Sequence, residues 1–384
     1  MSFPPLMNTY PDPPVTFVTG RGSELWDEEG NRYLDALSGL AVTSLGHGNP
    51  VVADAIASQA ETLLHVSNLF GNTVGPEVAE TLDRLLGGGG RIFFANSGAE
   101  ANECAIKLAR KFGGRGRHVV VSAFGSFHGR TLATLHATGQ PEKHEAFQPL
   151  PEGFRHVAFD DVGAVQAALD PTVSAVLVEV VQGEGGVRAV SSDYLRSLRT
   201  LCDERGVLLM IDEVQTGLCR TGEWFAFQHH GIRPDVVTMA KALGNGMPIG
   251  ACWARAEVAE VFEPGDHATT YGGQPLAAAA ARGTLAVMEA EDAPGRARTA
   301  GVRLTDALRE IPAVTEVRGL GLLLAAELAG GEAPAVATEL LKAGLVVNAV
   351  SPTALRFAPS LLVTDDEIDE MVGIVEHVLA ERSS

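Results

Sequence analysis

Short apolar runs that do not alternate with polar residues recur along the 384-residue chain, and between them lie longer stretches with apolar positions at helical spacing. RIFF at 91–94, HVVVSA at 118–123, and the runs at 174–181, 207–211 and 236–239 read as strands buried on both faces, as in a parallel sheet. Helices are predicted over 50–64, 75–86, 100–112, 164–169, 193–205 and 275–288. In the third of these, Ala101, Ala105, Leu108, Ala109 and Phe112 make one apolar face. Its first turn carries Glu100 and Glu103 and its end carries Lys107, Arg110 and Lys111, which complements the helix dipole. Strands alternating with helices predict an α/β fold built on a mainly parallel sheet.

The two ends of the chain depart from this rhythm. Residues 1–15 are proline-rich and predict an arm with little structure of its own, and 15–34 reads as a β-meander closed by a DEEGN turn. Four consecutive glycines at 87–90 lack a following GK[ST] and read as a flexible helix-to-strand link rather than a phosphate loop. Residues 139–154 read as a polar excursion between elements. After about residue 283 come a helix, strands in VTEVRGLGLLLAAEL, another helix, GLVVNAV, LRFAPSL, and a last helix after Thr364 capped by TDDE. The expected organisation is a large domain at 49–283 and a smaller split domain made from 1–48 and 284–384.

Candidate chemistry concentrates at 207–250. The runs 207–211 and 236–239 are each followed closely by one ionisable residue, Asp212 and Lys241, and in open α/β sheets ligands bind outside the carboxyl ends of the strands. A semi-buried lysine forms Schiff bases, and an aspartate beside a pyridine nitrogen keeps that nitrogen protonated, so the pair suggests a carbonyl cofactor, pyridoxal 5′-phosphate. Taken singly, a lysine past a strand is ordinarily reaching for water, and Asp-Glu there ordinarily opens a loop. The glycines of LGNG at 243–246, which let backbone approach a ligand closely, favour function. RIFF followed by Asn96-Ser97-Gly98-Ala99 and a helix is the arrangement of an anion site at a helix N-terminus, although Ser97 alone would be an ordinary N-cap. On residue type alone, Phe127 reads as core, Arg130 as surface, Glu184 as a turn residue and Arg356 as a snorkelling side chain.

Charge and cysteine content narrow the partners. With 29 basic against 48 acidic residues the formal charge is −19, which disfavours nucleic acid and anionic membrane, and small anionic substrates then need local arginines. Cys104, Cys202, Cys219 and Cys252 are scattered without a CxxC, no HExxH is present, and adjacent His229 and His230 cannot share a helix face. The N-terminus lacks the pattern of a signal peptide and no apolar run is long enough for a bilayer, so a cytoplasmic protein is expected.

The phrases IDEVQTG, RTGEWFAFQHHGIRPDVVTMAKALGNGMPIGA, NSGAEANE, FHGRT and HATTYGG closely resemble those of the class III pyridoxal-phosphate aminotransferases of the ornithine and acetylornithine type, from about Gly20 to the C-terminus. The resemblance implies the type I fold of pyridoxal-phosphate enzymes and a cofactor held by Lys241 and Asp212. It implies that Ser97, Gly98 and Ala99 hold the phosphate, Phe127 and His128 lie at the ring, Val214 lies under it, and Gln215 sits near the phenolic oxygen. Thr270 would reach the phosphate bound by a second subunit, which implies a homodimer with shared sites. Arg130 would hold the donor's carboxylate, and Glu184 would pair with Arg356 until 2-oxoglutarate needs that arginine. The implied reaction moves the terminal amine of N2-acetylornithine to 2-oxoglutarate, a step of arginine biosynthesis. The alternatives are ornithine, 4-aminobutyrate or succinylated amines as donors, a glutamate-1-semialdehyde-type aminomutase, for which Met would be expected in place of Gln215, and a non-catalytic or carrier-linked role. Ala99 stands where Thr is common, Glu179-Val180-Val181 where Glu-Pro-Ile/Val is usual, and Cys219 and Asn245 replace glycines.

Overall fold

The computed structural model describes residues 6–382. Seven strands form the central sheet: β1 (Gly90–Ala95), β2 (Val119–Ala123), β3 (Phe154–Val157), β4 (Val173–Val178), β5 (Leu208–Asp212), β6 (Val236–Met239) and β7 (Gly250–Arg255). Their spatial order is β1-β7-β6-β5-β4-β2-β3. The pairs from β6 through β3 are all parallel, and β7 runs antiparallel to both β6 and β1. Every residue of β2, β4, β5 and β6 is buried, which is why these strands are predominantly apolar in sequence without alternating. No helix among the described residues is long and apolar enough to cross a membrane.

Several expectations need correction. The polar excursion ends in β3, a half-buried edge strand, and β7 is a strand to which the sequence pattern assigned no element. The run at 174–181 is not one strand: β4 stops at Val178, and Val181–Gln182 pairs antiparallel with Arg188–Ala189. Gly87, Gly88 and Gly89 do form a left-handed turn, but Gly90 is already in β1. A Cβ on Gly90 would fall 2.1 Å from Trp253 Nε1, so the buried indole claims that space. The same indole donates to Asp83 Oδ1 at 2.8 Å. Phe112, placed on the apolar face of its helix, is exposed at the last turn of that helix, α1 (Gly98–Gly113). Residues 1–5 of the expected arm lie outside the described residues, and 6–16 form no helix or strand.

The chain ends meet in two smaller sheets. The meander Phe17–Arg21, Glu24–Asp27, Arg32–Asp35 is extended by Leu345–Val346, parallel to Arg32–Asp35, so N-terminal and C-terminal segments share one sheet. Val314–Leu320, Leu323–Leu328, Ala354–Phe357 and Asn348–Ala349 form the other. The last helix is capped reciprocally: Thr364 N donates to Glu367 Oε2 at 2.8 Å and Glu367 N to Thr364 Oγ1 at 3.2 Å. Because residue 283 falls inside the helix Pro275–Ala290, we propose that the second domain junction lies at the Glu291-Asp292 turn.

Three backbone features border the centre. Ser38, Gly39, Leu40 and Ala41 are all left-handed, with φ of 51°, 60°, 68° and 63°. Asp35 holds this turn by accepting from Leu37 N at 3.0 Å and Ser38 N at 2.8 Å. Asn245 (φ 45°) and Cys219 (φ 72°) keep the left-handed backbone of the glycines they replace. Asn245 also accepts from Leu45 N at 2.8 Å, whereas the buried Cys219 bears the strain without a side-chain hydrogen bond.

Arg220 is the buried tie between these parts. It donates to Leu322 O (3.1 Å), Pro359 O (2.5 Å) and Ser44 Oγ (2.8 Å), and burial pushes its guanidinium down to about 10. Replacing it by Met removes a hydrogen-bonded charge and orphans those acceptors. Arg220→Met is therefore expected to lower the unfolding free energy by about 3 kcal/mol in urea titrations, and a loss under about 1 kcal/mol would show the tie to be dispensable.

Candidate active site

The carboxyl ends of β1, β2, β4, β5 and β6 open onto one cavity of about 450 Å³. Its lining includes Ser97, Gly98, Ala99, Phe127, His128, Arg130, Glu184, Asp212, Val214, Gln215 and Lys241, so residues far apart in sequence converge there. Sequence alone did not single out Val42, Asn102, Glu179 and Met247, which also line it. Two of these carried a signal: Glu179 follows a fully buried strand, as Asp212 ends one, and Asn102 is the polar residue on the buried face of α1.

Asp212 is buried and heavily hydrogen-bonded. Its Oδ2 accepts from Asn102 Nδ2 and from His128 Nδ1, each at 2.8 Å, and its Oδ1 accepts from Val214 N at 3.0 Å. Thr238 Oγ1 on β6 donates to Asn102 Oδ1 at 2.7 Å, which fixes the direction of that amide. A carboxylate so supplied is fixed in place. His128 Nε2 is buried without a partner.

Lys241 opens a short 3₁₀ turn, Lys241–Gly244, in left-handed backbone (φ 44°). Burial pushes its amine down to about 8, against the opposing pull of Glu184, Asp212 and Glu179. Roughly a tenth of the amine is therefore neutral and nucleophilic at about pH 7, far more than for an ordinary lysine. Glu179 accepts from Phe127 N at 3.2 Å, and burial, with the Asp212 charge beside it, holds its carboxyl well above the usual range.

At the other side Glu184 Oε1 meets Arg356 NH1 at 2.6 Å. Arg356 is 1% exposed and also donates to Asn348 Oδ1, Gly183 O and Gln215 Oε1 at 3.1, 3.3 and 3.3 Å through Nε and NH1, so it is a buried, hydrogen-bonded guanidinium rather than a snorkelling one. Burial alone would raise the Glu184 carboxyl, but Arg356 holds it below its ordinary value. Arg130 is exposed at the rim, its guanidinium carbon 5.5 Å from the centre of the Phe127 ring. Thr270 is exposed and lies outside the cavity lining.

The walls are shaped for a flat anionic molecule. Ser97 caps α1 by accepting from Glu100 N at 3.2 Å, and the first-turn N–H groups of Gly98 and Ala99 remain free for an anion. A Cβ on Gly98 would fall 2.7 Å from Val214 Cγ1, and one on Gly129 2.8 Å from Ala99 Cβ, so the cup admits no larger residues. An anion cup, Phe127 and Val214 as apolar walls, a fixed carboxylate and a neutral amine fit a heteroaromatic aldehyde phosphate.

Known proteins agree with this geometry. The chain matches the aminotransferase class-III family over residues 7–379. It is 45% identical to an acetylornithine aminotransferase of Caldanaerobacter subterraneus over 98% of this chain and 97% of that one. Among solved structures it is similar to the N-acetylornithine aminotransferase of Stenotrophomonas maltophilia (36% identity, 97% of each chain, TM-score 0.85). It is also similar to the ornithine aminotransferase of Toxoplasma gondii (35% identity, 99% and 94% coverage, TM-score 0.93), in which PLP partially occupies the active site.

The depressed amine has a direct readout. With the protein freed of bound aldehydes, labelling of Lys241 by an amine-selective reagent, followed by peptide mass spectrometry, should rise through pH of about 8 and level above it. A rise only near the pH of an ordinary lysine, about 10.4, would contradict the site's electrostatics.

Proposed function

The chain belongs to the class III aminotransferase family, and from that premise we propose that it moves the terminal amine of N2-acetylornithine to 2-oxoglutarate, giving N-acetylglutamate semialdehyde and glutamate. It is a transaminase, and its cofactor is pyridoxal 5′-phosphate. The observation that carries the substrate reading is the Glu184–Arg356 pair at 2.6 Å with a second arginine, Arg130, free at the rim. One cavity with a free arginine and a masked one suits a donor and an acceptor with different numbers of carboxylates.

When bound, the cofactor withdraws electrons from the substrate carbon that loses its proton. Lys241 would hold the cofactor through its aldehyde and, once freed by the donor, would move the proton at the donor's Cδ. Asp212, oriented by Asn102 and His128, would hold the proton on the ring nitrogen. Ser97, Gly98 and Ala99 would bind the phosphate, Phe127 and Val214 would flank the ring, and Gln215 would contact the phenolic oxygen. Arg130 binds the donor's α-carboxylate, which sets the far amine at the reacting end. Glu184 neutralises Arg356 while the donor is present and releases it to the α-carboxylate of 2-oxoglutarate.

A second copy of the chain completes the site in this reading. Leu69 and Phe70 are 87% and 70% exposed, with Leu63, Leu64 and Tyr271 also exposed nearby. Asn68 Nδ2 binds this segment to Thr269 O at 3.0 Å, next to Thr270. An apolar patch of this kind favours a homodimer in which Thr270 serves the partner's phosphate. Four free, buried cysteines fit a reducing, cytoplasmic setting.

The likeness to the Toxoplasma enzyme makes ornithine the competing donor. The holoenzyme should lose its yellow colour with N2-acetylornithine far faster than with ornithine or 4-aminobutyrate and regain it with 2-oxoglutarate. Bleaching by ornithine alone would transfer the assignment to ornithine. Arg130→Met should raise the KM for N2-acetylornithine by about 10- to 100-fold. Glu184→Gln should shift preference toward α-amino donors, and unchanged donor selectivity would refute the masking role.

A further inference from the structure

Releasing Arg356 leaves a carboxylate behind. Glu184 is about one-third exposed, and separating it from a fully buried guanidinium without a new partner is costly. We propose that Lys143 is that partner: when an acceptor carboxylate takes Arg356, Glu184 turns to the Lys143 ammonium, so Lys143 tunes affinity for dicarboxylates. This rests on the masking role of Glu184 given above.

A continuous ladder of contacts brings Lys143 to the Glu184 turn. Gly185, next to Glu184, lies so close to Gly125 that an added Cβ would stand 2.9 Å from Gly125 O. Gly125 N donates to Gly139 O at 2.8 Å, and Gln140 Nε2 donates to Ser126 O at 2.9 Å. Gln140 precedes the 3₁₀ turn Pro141–Lys143, and Lys143 N donates to Gln140 O at 3.0 Å. Gln182 Nε2 closes the ladder on Phe124 O at 3.0 Å.

Lys143 is also weakly committed. Its ammonium contacts Gln140 Oε1 and stands 3.7 Å from the exposed Glu142 carboxylate, an adjacent residue on the same turn. Three cations act on the Glu184 charge: Arg356 most strongly, then Lys241 and Lys143. Arg356 is engaged by the acceptor at that moment and Lys241 by the chemistry, which leaves Lys143. A half-exposed pair of this kind is worth about 1 kcal/mol, or about fivefold in an equilibrium.

Glutarate, a dicarboxylate without a reactive carbonyl, separates binding from turnover. Calorimetric titration of the holoenzyme should show Lys143→Gln weakening glutarate about fivefold, Lys143→Arg restoring it, and the KM for N2-acetylornithine unmoved. In a Glu184→Gln background Lys143→Gln should then have no further effect. An unchanged glutarate affinity in Lys143→Gln would overturn the proposal. Equal weakening in the Glu184→Gln background would also overturn it, since Lys143 would then touch the ligand directly. A wild-type holoenzyme that converts the donor but does not bind glutarate would remove the masking role itself, and Lys143 with it.

Discussion

The Asp212 carboxylate is the point to which the active centre is tied. It ends β5, and the groups that donate to it come from α1, from the loop after β2 and from its own following turn. Through Asn102 the same network reaches Thr238 on β6. Leaving a buried carboxylate oxygen without its donors is costly. Keeping those bonds therefore fixes how helix, strands and loop sit relative to one another, and the anion cup of α1 and the Lys241 turn inherit their separation from that arrangement.

Around this charge the site is electrostatically divided. Glu179 and Glu184 face one amine, yet their carboxyls are pushed in opposite directions because their neighbours differ. Glu184 has Arg356, whereas Glu179 is buried with one backbone N–H and a like charge beside it. Burial meanwhile favours the uncharged amine. The chain as a whole carries a formal charge of −19, so its general field repels anionic substrates, and in the proposed reading Arg130 and Arg356 attract them locally.

Much of this was legible in the sequence because fully buried parallel strands write themselves as unbroken apolar runs, and the residue that breaks such a run stands at the ligand-binding edge. Asp212, Lys241 and the Ser97 cap followed from that grammar. Glu179 obeyed it too but sat inside a run that seemed to continue to Val181, because the kink between β4 and the next short strand has no sequence mark. β7 was hidden since its small residues Gly250, Ala251, Cys252 and Ala254 make no strong apolar run, and its pairing with β1 and β6 is set only by the fold. β3 is an edge strand with Arg155 and His156, too polar to declare itself. The burial of Arg356 depended on Asn348, Gly183 and Gln215, partners that only the tertiary fold assembles.

The left-handed turn at 38–41 adds backbone strain to the cavity. Three of its four residues carry a Cβ and would each relax by about 1–2 kcal/mol in ordinary backbone, yet Asp35 keeps them wound, and Val42 at the turn's end forms part of the wall. The Lys241 turn, elsewhere in the wall, begins the same way, with φ of 44°. Left-handed residues thus border the cavity from both the N-terminal segment and the sheet, and a substitution that relaxed either turn would move a wall of the site rather than a remote loop.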